Sequence, residues 1–193
     1  MKTKKQMGMA LVLIAFLIAL DQITKYLAVL FLKEQAAIPI IKEVFELKYL
    51  ENQSAAFGMD PISLLHEIFH FQAFESNPQL FLDMKMGFFV LFTIIIVIVM
   101  AWVYTRIPNE KRYIFMDYIL IFFMAGALGN FIDRVWHNYV IDFLYFKLID
   151  FPIFNVADIY VTCAAFVMLA LGIFYYKDED IDRIFPPKAK KED

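Results

Sequence analysis

Four long apolar runs separated by polar stretches set the plan of this chain, and they predict four membrane-crossing helices at about residues 7–32, 86–104, 113–131 and 156–176. A run of about 20 apolar residues, at 1.5 Å of rise each, spans the roughly 30 Å of a bilayer core. The first run is interrupted only by Asp21-Gln22-Ile23-Thr24-Lys25 and then resumes. Its basic head and apolar stretch look like a signal peptide, but no small-residue cleavage site follows. Asp21 and Lys25 are four apart and share a helix face, so they can pair or bracket a ligand, or sit at an interface as a snorkelling pair.

Between the first two runs the pattern changes. Residues 38–50 alternate in part and are rich in Ile, Val, Phe and Tyr, with Pro39 near the start, which predicts edge strands. Residues 62–71 carry apolar side chains at Ile62, Leu64, Leu65, Ile68, Phe69 and Phe71, the spacing of a short amphipathic helix in the membrane interface. His66 and His70, one turn apart on it, lack an evident third ligand for a metal. Glu51 to Gly58 include small residues that allow close backbone approach. Ala125-Gly126-Ala127 in the third run offers a surface for helix packing. Residues 177–193 are charged, contain Pro186-Pro187, and read as a disordered tail.

Composition supports this plan. Of 193 residues, 61% are hydrophobic and the mean hydropathy is +0.60, against about 45–50% apolar content in soluble domains. The net charge of −3 leaves no footprint for nucleic acid. The one cysteine, Cys163, cannot form an internal disulfide and reads as a small buried hydrophobe. Lys and Arg concentrate in the head, in the turn at 105–112 and in the tail, so the positive-inside rule assigns these to the cytoplasm. The 33–85 section and the loop after the third run then share the outer side. The expected fold is a mainly α membrane protein with four transmembrane helices, a small outer β-cradle and an interfacial helix. It forms one domain over residues 1–176, followed by a cytoplasmic tail.

The chemistry lies between Gly126 and Asp158, where Asn130, Asp133, Arg134, Asp142, Asp150, Asn155 and Asp158 interrupt strongly apolar sequence. Ionisable groups at a membrane boundary are costly to desolvate and mark candidate sites. Asn130, Asp133 and Arg134 share a helix face, where an Asp133–Arg134 pair either anchors the helix end or steadies a reacting carboxylate. Asn155 and Asp158 have the spacing of a capping box. Asp142 is flanked by apolar residues on both sides, and either Asp158 or Asp150 is available as its partner. Two carboxylates brought together share one proton, which suits acid–base hydrolysis of an amide. Composition alone equally admits proton or cation passage, or a scaffold. Those readings are weakened by the almost wholly apolar second and fourth runs and by the concentration of polar motifs on one side.

Five ordered motifs, D21QITK25, N52QSAAF57, G126ALGNFIDR134, V140IDF143 and F154NVAD158, closely resemble those of the lipoprotein signal peptidases, also called signal peptidase II. The resemblance spans about residues 8–176. It implies a bacterial plasma-membrane aspartyl endopeptidase without a cofactor. The implied reaction removes the signal peptide of prolipoproteins just before a diacylglyceryl-modified cysteine. By motif position Asp142 and Asp158 match the catalytic pair, which excludes Asp150. Asn52, Asn130, Asp133, Arg134 and Asn155 match supporting residues, and Asp21 and Lys25 match the first-helix motif. The implied partners are lipid-modified prolipoproteins, membrane lipid and globomycin-type inhibitors. Ser54 and Ala125 stand where the family usually has glycine, and residues 60–85 look longer than its usual pattern.

Overall fold

A computed structural model describes residues 2–54 and 61–186. Ala55–Gly58, and with them the end of the N52QSAAF57 motif, lie outside the described residues, as does the tail beyond Pro186. Four helices have the length and apolarity to cross a membrane: α1 (Lys4–Leu32), α4 (Pro78–Arg106), α5 (Ile114–His137) and α6 (Val156–Phe174). The second begins before the predicted 86, and the third continues to 137 rather than ending at 131. The polar set Asn130, Asp133 and Arg134 therefore lies within the helix, on its last turns. Asn138, in left-handed conformation at φ 61°, ends α5, a position that Asn tolerates well.

The buried stripe of α1 is Ala10, Ile14, Leu17, Asp21, Lys25, Ala28 and Leu32. Steps of three and four keep these side chains on one face, and that face points at the other helices rather than at lipid. Asp21 and Lys25 occupy core positions of this stripe, so both charges are forced inward. By contrast α4 leaves Leu91, Phe92, Ile94, Ile95 and Ile98 exposed, a surface that suits lipid and not water. Ala10, Ile14 and Leu17 of α1, Tyr104 of α4, Ile121, Met124 and Ala125 of α5 and Tyr160 of α6 form the central packed cluster.

Close approach of α5 to α6 and to α1 depends on two glycines. A Cβ on Gly126 would fall 2.5 Å from the Ala157 carbonyl oxygen, and one on Gly129 would fall 2.6 Å from an Asp21 carboxylate oxygen. Ala125, in place of the usual glycine, is fully buried in the central cluster, so a methyl group is accommodated there.

Strands β1 (Ile38–Ile41), β2 (Phe45–Asn52) and β3 (Val140–Tyr145) form an antiparallel sheet in that order. The register sets Leu50 opposite Asp142 and Asn52 opposite Val140. Side chains alternate between faces with period two, so Asn52 and Asp142 fall on one face as diagonal neighbours. Beyond β3 the chain loops back. Phe154 exchanges backbone hydrogen bonds with Leu144, the N–H groups of each donating to the carbonyl of the other at 3.0 and 2.8 Å. That bridge brings Asn155 and the start of α6 beside Asp142.

The short helices α2 (Pro61–Phe69) and α3 (Gln72–Ser76) link the sheet to α4. Leu64, Leu65, Ile68, Phe69 and Phe71 are exposed, which is the apolar face an interfacial helix requires. His66 packs among the rings of Phe71, Phe74 and Phe81, and among the described residues no His, Cys, Asp and Glu cluster suits a metal.

Two expectations are corrected here. The first part of the tail is ordered as α7 (Asp178–Ile184). Arg112 donates to Asp180 from Nε at 2.6 Å and Nη2 at 2.5 Å, Arg183 pairs with Glu110, and Ile184 packs into a buried cluster with Ile107 and Tyr113. Its charges have partners on the turn between α4 and α5, and so it docks instead of remaining solvated. Cys163 is exposed rather than buried, on a part of α6 that borders a cavity.

Candidate active site

The polar residues of α1, α5, β3 and α6 meet at one end of the bundle. Asn155 caps α6 and Asp158 completes the capping box. The Asn155 side chain accepts from the Asp158 N–H at 3.0 Å, and Asp158 Oδ2 accepts from the Asn155 N–H at 3.1 Å. Because Asn155 Oδ1 is engaged by the cap, its Nδ2 must face the other way. It donates to Asp142 Oδ1 at 2.7 Å and to Asn130 Oδ1 at 3.0 Å. Asn52 Nδ2 donates to the other Asp142 oxygen at 2.7 Å. Asn130 Nδ2 donates to Asp158 Oδ1 at 2.8 Å. The same residues thus cap α6 and hold the two carboxylates in place.

Asp142 is almost wholly buried, and burial pushes its pKa up to about 7, with the neighbouring charge of Asp158 adding to the effect. Asn52 and Asn155 oppose this by donating to the carboxylate, but only in part. The outcome is a pair of unlike members: one acid half-exposed at a helix start, and one buried in a strand and inclined to keep a proton. Asp150 takes no part. It is exposed, in left-handed conformation at φ 47°, and accepts from the Tyr145 hydroxyl at 2.6 Å.

A cavity of about 420 Å³ opens on the pair. Asn52, Ser54, Arg134, Asp142 and Asp158 line its polar end, and its other walls are mostly apolar, from Phe146, Phe151, Phe154 and Ile159 to Cys163. Arg134 is held over the Phe89 ring, 5.1 Å from its centroid, and donates to the Ser54 carbonyl at 3.2 Å and to the Asn130 carbonyl at 3.3 Å. Ser54 serves through its backbone: its N–H also donates to Asn52 Oδ1 at 2.8 Å, which turns Asn52 Nδ2 toward Asp142.

The expected Asp133–Arg134 pair does not form. Adjacent helical residues point about 100° apart, and Asp133 turns inward to Lys25 at 2.9 Å instead. Lys25 also contacts Asp21 and Asn130, each at 2.9 Å. Neither Asp21 nor Lys25 lines the cavity, since both are fully buried. Gln22 was not singled out by the sequence reading. It donates to Asp133 at 3.0 Å and to the Gly129 carbonyl at 3.2 Å, and its place between Asp21 and Lys25 in the first-helix motif was its only signal.

Fold and site together define a membrane-embedded enzyme class: four spanning helices, a small sheet, and an aspartate-containing polar centre opening on an apolar cavity. Comparison with known proteins gives the family. The chain belongs to the signal peptidase (SPase) II family, whose profile it matches over residues 13–174. It is 38% identical over 167 residues to the lipoprotein signal peptidase of Caldanaerobacter subterraneus subsp. tengcongensis, covering 86% of this chain and 97% of that one. It is 38% identical over 160 residues to that of Brevibacillus brevis, covering 83% and 91%. A solved structure described as a bacterial membrane enzyme superposes with a TM-score of 0.65 at 30% identity, covering 89% of this chain and 93% of that chain. The protein is therefore a bacterial membrane protease of this family.

Proposed function

We propose that the chain is an aspartyl endopeptidase that removes signal peptides from diacylglyceryl-modified prolipoproteins, cutting just before the lipidated cysteine. The observation that carries this reading is the joint holding of Asp142 and Asp158 by three carboxamides at the mouth of an apolar cavity. Asp142, with its pKa near 7, supplies a carboxylic acid at neutral pH. Asp158 serves as the base. As a water oxygen adds to the scissile carbonyl carbon, Asp158 takes a proton from it and Asp142 protonates the carbonyl oxygen. Collapse of the tetrahedral intermediate breaks the C–N bond: the proton held by Asp158 goes to the leaving nitrogen, and one hydroxyl proton of the intermediate returns to Asp142 as the new carboxyl group forms. The apolar cavity walls suit the lipid-bearing segment, and Arg134 at its polar end suits a substrate carbonyl. Globomycin-type inhibitors would compete at the pair.

The charge pattern supports an active site at the outer face of the plasma membrane, with both termini cytoplasmic. Reporter fusions after Arg106 and after Lys177 then read cytoplasmic, and a fusion after His137 reads outside. The activity test incubates purified full-length protein with a lipid-modified prolipoprotein. Asp142→Asn and Asp158→Asn should each lower turnover by orders of magnitude, and Asp150→Asn should cleave normally. Normal cleavage by either of the first two, or equal loss in the third, overturns the assignment.

A further inference from the structure

We infer that Lys25 is a positioning residue that acts on the aspartate pair through Asn130, biasing the pair's single negative charge toward Asp158. This rests on the aspartyl reading above and adds to it a route by which a buried cation, out of reach of substrate, sets which member acts as base.

An ammonium group has three N–H donors and no acceptor. In Lys25 all three have partners at 2.9 Å: Asp21 Oδ2, Asp133 Oδ2 and Asn130 Oδ1. The side chain is 1% exposed, so no direction is left for a substrate group. The two carboxylates are themselves tied to the scaffold. Asp21 accepts from the Ala157 N–H at 2.9 Å, Asp133 accepts from the Ile141 N–H at 3.1 Å, and Gln22 donates to both. Ala157 adjoins Asp158, and Ile141 adjoins Asp142. The cluster thus grips the backbone next to each member of the pair.

The third Lys25 donor has the consequence for chemistry. Asn130 Oδ1 receives Lys25 and Asn155 Nδ2, so the carboxamide cannot flip without setting its NH2 against two donors. Its own NH2 is thereby aimed at Asp158 Oδ1, at 2.8 Å. A carboxamide whose oxygen is bound by a cation is polarised, and its N–H becomes a stronger donor. The charged groups facing Asp158 are Asp142 from β3, Arg134 from α5, and Lys25 of α1 behind Asn130 with its two carboxylates. Lys25 also acts on Asp142 through space, favouring its charged form, but among the described residues no cation is hydrogen-bonded to the side-chain oxygen of Asn52 or Asn155, the donors to Asp142: Asn52 Oδ1 accepts from the Ser54 N–H and Asn155 Oδ1 from the Asp158 N–H, both neutral. That asymmetry is the basis of the assignment.

The test measures kcat and KM for a lipid-modified prolipoprotein across pH in three full-length variants. Asn130→Leu removes the relay and leaves Lys25 its two carboxylates. Lys25→Met with Asp133→Asn removes the ammonium while the cluster keeps its net charge of −1, since one cation and one anion are lost together. Asp158→Asn tests the underlying reading. The inference expects KM within about twofold of wild type and an acid limb of the kcat profile moved up by about one pH unit in the first two variants, the lower end of what a neighbouring opposite charge does. Combining Asn130→Leu with the Lys25 and Asp133 changes should add little, because the groups act in series. A wild-type acid limb in Asn130→Leu, or fully multiplicative losses, overturns the inference. If the Lys25 double variant fails to give a monodisperse protein, Asn130→Leu alone decides. An inactive Asp158→Asn beside unshifted relay variants rejects the relay only, whereas an active Asp158→Asn rejects the aspartyl reading itself.

Discussion

Asn155 joins the two candidate catalytic carboxylates with one side chain: its Nδ2 donates to Asp142 at 2.7 Å, and its Oδ1 accepts from the N–H of Asp158 at 3.0 Å. Helix capping and the proposed acid–base role are separable here by substitution. Serine caps a helix about as well as asparagine but has no NH2 to reach Asp142. Asn155→Ser should therefore melt close to wild type and lose roughly two- to tenfold in turnover, the worth of one hydrogen bond to a neutral carboxyl group. Thermal unfolding in detergent and a cleavage assay on the same preparation check this. Near-normal turnover would show the residue to be a cap alone.

The raised pKa of Asp142 also predicts how stability depends on pH. The folded protein binds this proton more tightly than the unfolded chain, whose carboxylate has the ordinary value of 3.8. Between that value and about 7, unfolding releases the proton, so stability falls as pH rises through this window and stays lower above it. Asp142→Asn removes the charge that must be buried. It should raise the melting temperature at pH 8 and change it little at pH 4, while abolishing cleavage. Equal shifts at both pH values would contradict a protonated Asp142.

Packing of α5 on α6 gives a third prediction. Gly126→Ala sets a methyl group against the Ala157 carbonyl and Val161, both too close to admit it, and Val161 alone can move. Overpacking of this kind costs about 1–3 kcal/mol. It should also shift Ala157 and with it the start of α6, so turnover falls together with stability. Gly172→Ala meets nothing within 4 Å and is the matched control, expected to melt at or slightly above wild type.

The docked α7 is expected to be separable from activity. Asp180 accepts from Arg112 and from the Lys177 N–H, and these bonds hold its carboxyl well below the usual carboxylate range. Its contribution is present at neutral pH and is lost only as pH falls below that range. Asp180→Ala should expose Lys177 and Arg183 to trypsin at pH 7.5 while cleavage of prolipoprotein stays at the wild-type rate. Unchanged trypsin resistance would show that Ile184 alone retains the helix.

Hydropathy, charge asymmetry and motif order determined much about this protein without tertiary information. Long apolar runs have few options other than spanning a membrane, because an unpaired backbone cannot remain in lipid. Asp142 was conspicuous because an acid between apolar residues has no reason to be there if it is merely solvated. Asn155 and Asp158 were recognisable as a capping box because capping is local, fixed by a spacing of three. What the sequence could not determine was partner choice across elements. Asp133 and Arg134 are adjacent in the chain, yet one turns to Lys25 and the other to the cavity, since helical rotation and the packing of α1 decide direction. Lys25 reads equally well as a snorkelling residue, and only the burial of its whole stripe, with three acceptors waiting, makes it a core cation. The tail is charged enough to seem disordered by composition, and only contacts brought near by the fold, the opposite charges on Arg112 and Glu110 and the apolar cluster that takes Ile184, order α7. Local periodicity and capping are properties of neighbouring residues, whereas the pairing of charges depends on which surfaces the tertiary structure removes from solvent.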